Sequence, residues 1–178
     1  DDEYESLRAA GREELGVSDK DLVFIHSGKL DAAKRTEELL RAFAAVPELN
    51  AKMYVCGSIP EDMRSRLMPL FEADKRVEYL GWKTSDELIK LLCACDFYLQ
   101  PGSQSATLEN ALCCRSAVML YPHKAYTADY DYGNVIWTEN QAEMENCFRK
   151  LLSGEISLSE LGKKSESCAA ELLDYRKL

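Results

Sequence analysis

The sequence lacks any long apolar run. No stretch approaches the roughly 20 apolar residues that a membrane-spanning helix needs. The chain opens with Asp1-Asp2-Glu3, an acidic start that is unlike a signal peptide. It does not begin with Met, so we expect a piece of a longer or processed protein.

Metal-binding patterns are also missing. The only histidines are His26 and His123, and no cysteine belongs to a C-x-x-C pair, so we expect neither a metal site nor a bound cofactor. Most of the seven cysteines lie in apolar patterns, where a free thiol packs as a small hydrophobe. Unpaired thiols in odd number indicate a reducing compartment, and we expect a cytoplasmic location. The cysteines are Cys56, Cys93, Cys95, Cys113, Cys114, Cys147 and Cys168.

Positive charge is scarce, and so are common catalytic signatures. The net charge of −9 argues against nucleic acid as a partner, because duplex binding depends largely on Lys and Arg. The chain contains no G-x-x-x-x-G-K-[ST], G-x-G-x-x-G or G-x-S-x-G motif. We therefore exclude a P-loop and a dinucleotide fingerprint, and we do not expect a serine-hydrolase elbow.

Short apolar runs alternate with helical patterns along the chain. The runs are continuous rather than alternating, which is typical of a parallel sheet covered on both faces. The sequence predicts a doubly wound, mostly parallel, Rossmann-like α/β fold, and 178 residues suit one domain. We place its core at about 20–152, with flanking helices at 1–16 and 156–178, the last lacking a stop signal. The predicted strands are 22–25, 53–56, 77–80, 97–99, 117–121 and a short 135–137, and the predicted helices include 34–46, 105–114 and 142–152.

Glycine follows each of the first four predicted strands. In open α/β sheets, ligands bind beyond the carboxyl ends of the strands, where glycine lets a ligand approach the backbone. Tight loops favour glycine for their own reasons, but four at one edge favour a ligand cleft. These residues are Gly28, Gly57, Gly81 and Gly102.

The segment "LQPGSQSATLENAL" (99–112) indicates an anion site. A small polar loop follows an apolar strand and leads into a helix, whose N-terminal N–H groups favour anions. Lys29 and Lys34, after the first strand, could clamp a diphosphate with this loop. Alternatively, the two lysines are simply solvated, and the serines of the loop only cap the helix. The loop residues are Ser103, Gln104, Ser105, Ala106 and Thr107.

Three further side chains fall at the same edge. The Glu109 carboxylate would repel phosphate but suits the vicinal hydroxyls of a ribose, unless it is only a solvated residue. Trp82 follows a strand-end glycine and could lie beside a nucleobase or cover the rim of the core. His123 follows the fifth strand and is another cleft candidate.

Several segments resemble, in order and spacing, the C-terminal half of retaining glycosyltransferases of the GT-B fold (glycosyl transferases group 1, family-4-like). They are "IHSGKLDAAKRTEELLRAF", "MYVCGS", "VEYLGWKTSDELIKLLCACDFYLQPG" and "LENALCCRSAVM", within residues 20 to 152. The resemblance implies a nucleotide-sugar donor site that works without a metal, with UDP as the expected nucleotide. Lys29, Lys34 and Ser103–Thr107 would hold the diphosphate. Glu109 would take the ribose, and Gly57, Gly81 and Trp82 would lie near the base.

The sequence departs from the family pattern in three places. The first Glu of the usual E-x7-E pair would fall at Pro101, which leaves the sugar undefined. Arg115 stands at a usual glycine turn, where we expect backbone strain or a positive charge near the cleft. The N-terminal acceptor domain is missing, so we expect the isolated domain to be inactive.

We therefore expect the donor-binding domain of a hexosyltransferase-type enzyme of glycan biosynthesis. It would use a glycan or lipid-linked acceptor, and attachment to the inner face of a membrane stays open. Three alternatives remain: a non-catalytic GT-B-like binding module, an enzyme of the sugar-nucleotide epimerase type, and a flavodoxin-like regulatory domain.

Overall fold

A parallel sheet of six strands forms the centre of the fold, in the order β3-β2-β1-β4-β5-β6. This computed structural model describes residues 2–173, with the side chains of 126–128 left out. The end of the predicted last helix, 174–178, lies outside the described residues. The strands are β1 (Leu22–Ser27), β2 (Ala51–Cys56), β3 (Val77–Gly81), β4 (Phe97–Gln100), β5 (Ala117–Leu120) and β6 (Val135–Trp137).

Helices cover both faces of the sheet, which confirms the doubly wound α/β prediction. Helices α2, α3 and α7 pack on one face, and α1, α4, α5 and most of α8 pack on the other. The helices are α1 (Asp2–Leu15), α2 (Thr36–Ala44), α3 (Glu61–Ala73), α4 (Ser85–Ala94), α5 (Thr107–Cys113), α6 (Lys124–Asp129), α7 (Gln141–Ser153) and α8 (Leu158–Leu172).

Consecutive residues of β1 supply the two cores. The ring of Phe24 lies 5.4 Å from that of Phe97 and 5.9 Å from that of Phe148, in the layer beneath α2 and α7. Ile25 points to the opposite layer. Because both faces of the strand are buried, its sequence shows a continuous apolar run rather than an alternation.

Two helices begin two residues later than the sequence predicts. The predicted helix 34–46 is a 3-10 turn at Ala32–Lys34 followed by α2, which begins at Thr36. The predicted helix 105–114 begins at Thr107, because the Ser105 hydroxyl accepts the Thr107 N–H at 3.2 Å in a local turn. Helix α5 therefore has only seven residues.

Arg115 joins three elements at the amino-terminal edge of the sheet. Its φ of 63° is left-handed, as expected for a residue at a glycine turn. Its guanidinium lies 3.4 Å from Glu166 and 3.8 Å from Glu5, and it stacks over the Tyr4 ring. The expected charge near the cleft is therefore wrong, because the turn between α5 and β5 lies at the opposite edge from the strands' carboxyl ends.

The thiols are unpaired, as the apolar patterns indicate. All seven cysteines are free and only Cys113 is exposed. Within residues 2–173, no cluster of three or more His, Cys, Asp or Glu side chains is arranged to hold a metal ion. Across the same residues, each helix is too short or too polar to cross a bilayer.

His26 links β1 to β4 and to the start of α2. Its Nδ1–H donates to the Leu99 carbonyl at 2.8 Å, so Nε2 accepts from the Thr36 hydroxyl, also at 2.8 Å. Burial lowers the pKa of His26 to about 4, and the nearby positive charge of Lys34 contributes to the lowering. The imidazole is therefore neutral in the folded chain at pH 7.

Acidification is expected to destabilise the fold through His26. An unfolded histidine binds a proton near pH 6.5, whereas folded His26 does so only near pH 4. The contribution of neutral His26 to the free energy of unfolding is therefore fully present above pH 6.5. It is lost as the pH falls to 4, and the loss is about 3 kcal/mol. Urea unfolding between pH 7.5 and 4.5 should show a smaller decline in His26→Gln than in the unsubstituted chain. Equal declines in the free energy of unfolding would contradict the lowered pKa of His26.

Candidate nucleotide-sugar site

The strand order reverses between β1 and β4. From β1 the sheet extends through β2 to β3, and from β4 it extends through β5 to β6. In open α/β sheets, ligands bind at such a reversal, beyond the carboxyl ends of the strands. The loops that carry Gly28, Gly57 and Gly102 come together there.

Two of these glycines are required by close contact between loops. A Cβ on Gly57, whose φ is 126°, would lie 1.7 Å from the Gly28 carbonyl oxygen. A Cβ on Gly102 would lie 2.1 Å from the Ala33 carbonyl oxygen. The tight-loop explanation therefore accounts for Gly57 and Gly102. Gly81, in contrast, borders open space.

Lys34 is a buried cation beneath the loop after β1. Only 7% of the residue is exposed, and a Cβ on Gly28 would lie 3.3 Å from its Nζ. The Nζ donates to the Ser103 carbonyl at 3.5 Å, and among the described residues no carboxylate oxygen lies within 4.0 Å of it. Burial lowers the pKa of Lys34, and the charge of Asp31 partly opposes that shift. Lys34 is thus not a solvated surface lysine, whereas Lys29 is exposed.

A cavity of about 240 Å³ opens beside these loops. Trp82 borders this cavity and is 72% exposed, which argues against the alternative that the ring covers the rim of the core. Leu88 supplies an apolar surface, and Thr107 borders the cavity at the first turn of α5. The remaining lining residues are Ser27, Gly28, Lys29, Cys56, Gly57, Ser58 and Lys83; Gly81 is not among them.

A second cavity, of about 270 Å³, is lined mostly by residues that flank Thr107 in the sequence. Glu109 is exposed there, and its Oε1 accepts a hydrogen bond from the Tyr130 hydroxyl at 3.0 Å. The other lining residues are Gln104, Ser105, Ala106, Leu108 and Tyr130. Tyr130 lies 21 residues from Glu109 in the chain, and no sequence pattern singles it out.

The polar loop after β4 is held by hydrogen bonds to the turn after β1 and within the loop itself. The Ser103 N–H donates to the Ala33 carbonyl at 2.9 Å, and the Thr107 N–H donates to Ser105. Two of the N–H groups expected to face a phosphate are therefore already engaged. His123 lies behind the loop, with its Nε2 3.1 Å from the Gly102 carbonyl oxygen.

Some cavity residues could have been found from the sequence. Ser27 ends β1 and Ser58 follows Gly57, so both stand where strands meet the ligand edge. Lys83 lies in the loop before α4 and Leu88 in the first turn of that helix, and no motif singled them out.

Fold and crevice together define the C-terminal domain of a GT-B glycosyltransferase. Residues 8–167 match the family described as glycosyl transferases group 1, and the chain belongs to that family. No curated protein sequence matches the chain.

Solved glycosyltransferase structures share this fold. Anabaena Alr3699/HepE in complex with UDP-glucose aligns with a TM-score of 0.80 at 18% identity, over 97% of this chain and 50% of its own. WaaG, a glycosyltransferase involved in lipopolysaccharide biosynthesis, aligns with a TM-score of 0.74 at 20% identity, over 93% and 47%. Sucrose-phosphate synthase from Thermosynechococcus elongatus aligns with a TM-score of 0.78 at 17% identity, over 95% and 45%. The chain spans about half the length of these structures.

Proposed function

We propose that this chain is the donor-binding domain of a retaining glycosyltransferase that transfers a hexose from a UDP-sugar. The observation that carries the proposal is the buried ammonium of Lys34 at the switch point of the sheet. A buried charge without an anionic partner is unfavourable, and a diphosphate at the crevice would supply that partner. Family membership and the UDP bound in HepE structures support the choice of nucleotide.

In this proposal each cavity receives one part of the donor. The base lies between Trp82 and Leu88, and the ribose hydroxyls donate to Glu109. Lys34 and Lys29 contact the diphosphate and stabilise the negative charge that develops on it as the sugar leaves, so no metal is required. A second domain would supply the acceptor site, and this chain alone would bind donor without transferring sugar.

Calorimetric titration of the 178-residue chain with UDP, GDP, ADP and UMP tests the proposal. We expect UDP to bind most tightly, and at least about tenfold more tightly than UMP, because Lys34 acts on the diphosphate. Lys20→Met, an exposed substitution at the opposite edge of the sheet, should leave binding unchanged. No binding of any nucleotide to the folded chain, or to a longer form with the second domain, would contradict the proposal.

Pro101 favours a second candidate, a binding module without transferase activity. It stands where the family's first Glu is usual, so the group that normally contacts the donor sugar is missing. Such a module would bind UDP but, in a two-domain form, would release no UDP from any UDP-hexose with acceptor present. An epimerase-type enzyme is less favoured, because His123 Nε2 is engaged by Gly102.

A cytoplasmic location and attachment to a membrane surface stay predictions.

A further inference from the structure

The contact between Tyr130 and Glu109 suggests how the ribose site is ordered. The phenol donates to Glu109 Oε1 at 3.0 Å, and both residues line the cavity of about 270 Å³. We infer that Tyr130 is a positioning residue that holds the Glu109 carboxylate for recognition of the ribose hydroxyls. The inference rests on the proposed function, since it assumes that Glu109 meets a nucleotide.

Tyr130 is itself fixed by the body of the domain. Its ring packs against the buried cluster between the sheet and helices α4, α5 and α8. Its carbonyl oxygen accepts a hydrogen bond from the Cys168 thiol of α8, with the sulfur at 3.9 Å. Four residues on, the Asn134 amide donates to Ser165 of the same helix at 3.1 Å. The position of the hydroxyl therefore depends on α8 as well as on the loop after α6.

The hydrogen-bond capacity of the carboxylate allows this arrangement. An ionised Glu can accept about four hydrogen bonds, and Tyr130 occupies one position on Oε1. The remaining positions can accept both hydroxyls of a ribose. An exposed Glu side chain would otherwise lose rotamer freedom when the nucleotide binds, and Tyr130 restricts that freedom beforehand.

Affinities for UDP and 2′-deoxy-UDP test this role. Tyr130→Phe keeps the ring and removes the donor, so we expect it to weaken UDP binding about fivefold and to reduce the preference for UDP over the deoxy form. Glu109→Gln should have the larger effect, and the double variant should lose little more than Glu109→Gln alone. Tyr132→Phe, a nearby tyrosine outside the cavity lining, is the matched control.

An unchanged preference in Tyr130→Phe would overturn the inference, as would tighter binding of UDP, which would mean that the phenol occupies the place of the ribose. Either result leaves the donor site intact if Lys34→Met still weakens UDP binding. Failure of the unsubstituted chain to bind UDP would instead remove the proposed function, and the inference with it.

Discussion

Lys34→Met is expected to weaken UDP binding by about 10- to 100-fold without destabilising the fold. A charge-assisted contact to the diphosphate would be lost, and such contacts contribute about 1.5–3 kcal/mol. The folded state lowers the pKa of Lys34, so it disfavours the charged form at pH 7. Removing the charge while keeping an apolar side chain should therefore leave the melting temperature equal or higher.

Lys29→Met provides the matched control for this result. Lys29 comes from the same loop but is exposed, where water screens its charge. We expect it to weaken UDP binding by less than about fivefold. Calorimetry and thermal unfolding on all three proteins measure both properties. If Lys34→Met bound UDP as well as the unsubstituted chain, the buried ammonium would have no part in donor binding.

Gly57→Ala is expected to destabilise the domain by about 3–5 kcal/mol. The added Cβ would lie 1.7 Å from the Gly28 carbonyl oxygen, and both atoms belong to relatively rigid backbone. The left-handed φ of 126° adds further strain for any residue with a Cβ. Moving Gly28 would also displace the loop above Lys34, so nucleotide binding should fall with stability.

Gly81→Ala separates backbone strain from steric overlap. Gly81 also has a positive φ, 77°, but nothing lies within 4 Å of the added Cβ. We expect it to lose only about 1–2 kcal/mol, the usual cost of a left-handed conformation. Urea unfolding of both variants gives the comparison. Equal losses of unfolding free energy in the two variants would mean that the close packing of Gly57 on Gly28 does not stabilise this edge of the sheet.

The sheet was predictable because strands that are buried on both faces appear in the sequence as uninterrupted apolar runs. Tyr98 and Leu99 of β4 face different layers, and both are fully buried, so no polar residue interrupts the run. The start of α5 was less predictable, because the Ser105 hydroxyl that accepts the Thr107 N–H also suits a helix cap.

The candidate site was predictable only in part. Strand ends place Lys34, Trp82 and Glu109 at one edge, but sequence spacing does not distinguish a buried lysine from a solvated one. The partner of Glu109 was missed because Tyr130 reaches it through tertiary packing against α8, which leaves no local pattern. The charge of Arg115 was misplaced although the sequence allowed the right edge, because a residue between a helix and the next parallel strand lies at the amino-terminal ends of the strands; only its partners Glu5 and Glu166 depend on tertiary packing.

The presence of two separate cavities at this edge of the sheet has a consequence for how affinity would build up. A fragment that occupies one cavity gains few contacts, yet on binding it loses nearly as much translational and rotational entropy as a larger ligand does. When two fragments are joined, the second binds at an effective concentration in the millimolar range or above. Uracil, which would occupy one cavity, and ribose, which would occupy the other, should therefore bind far more weakly when added together than uridine, in which they are joined.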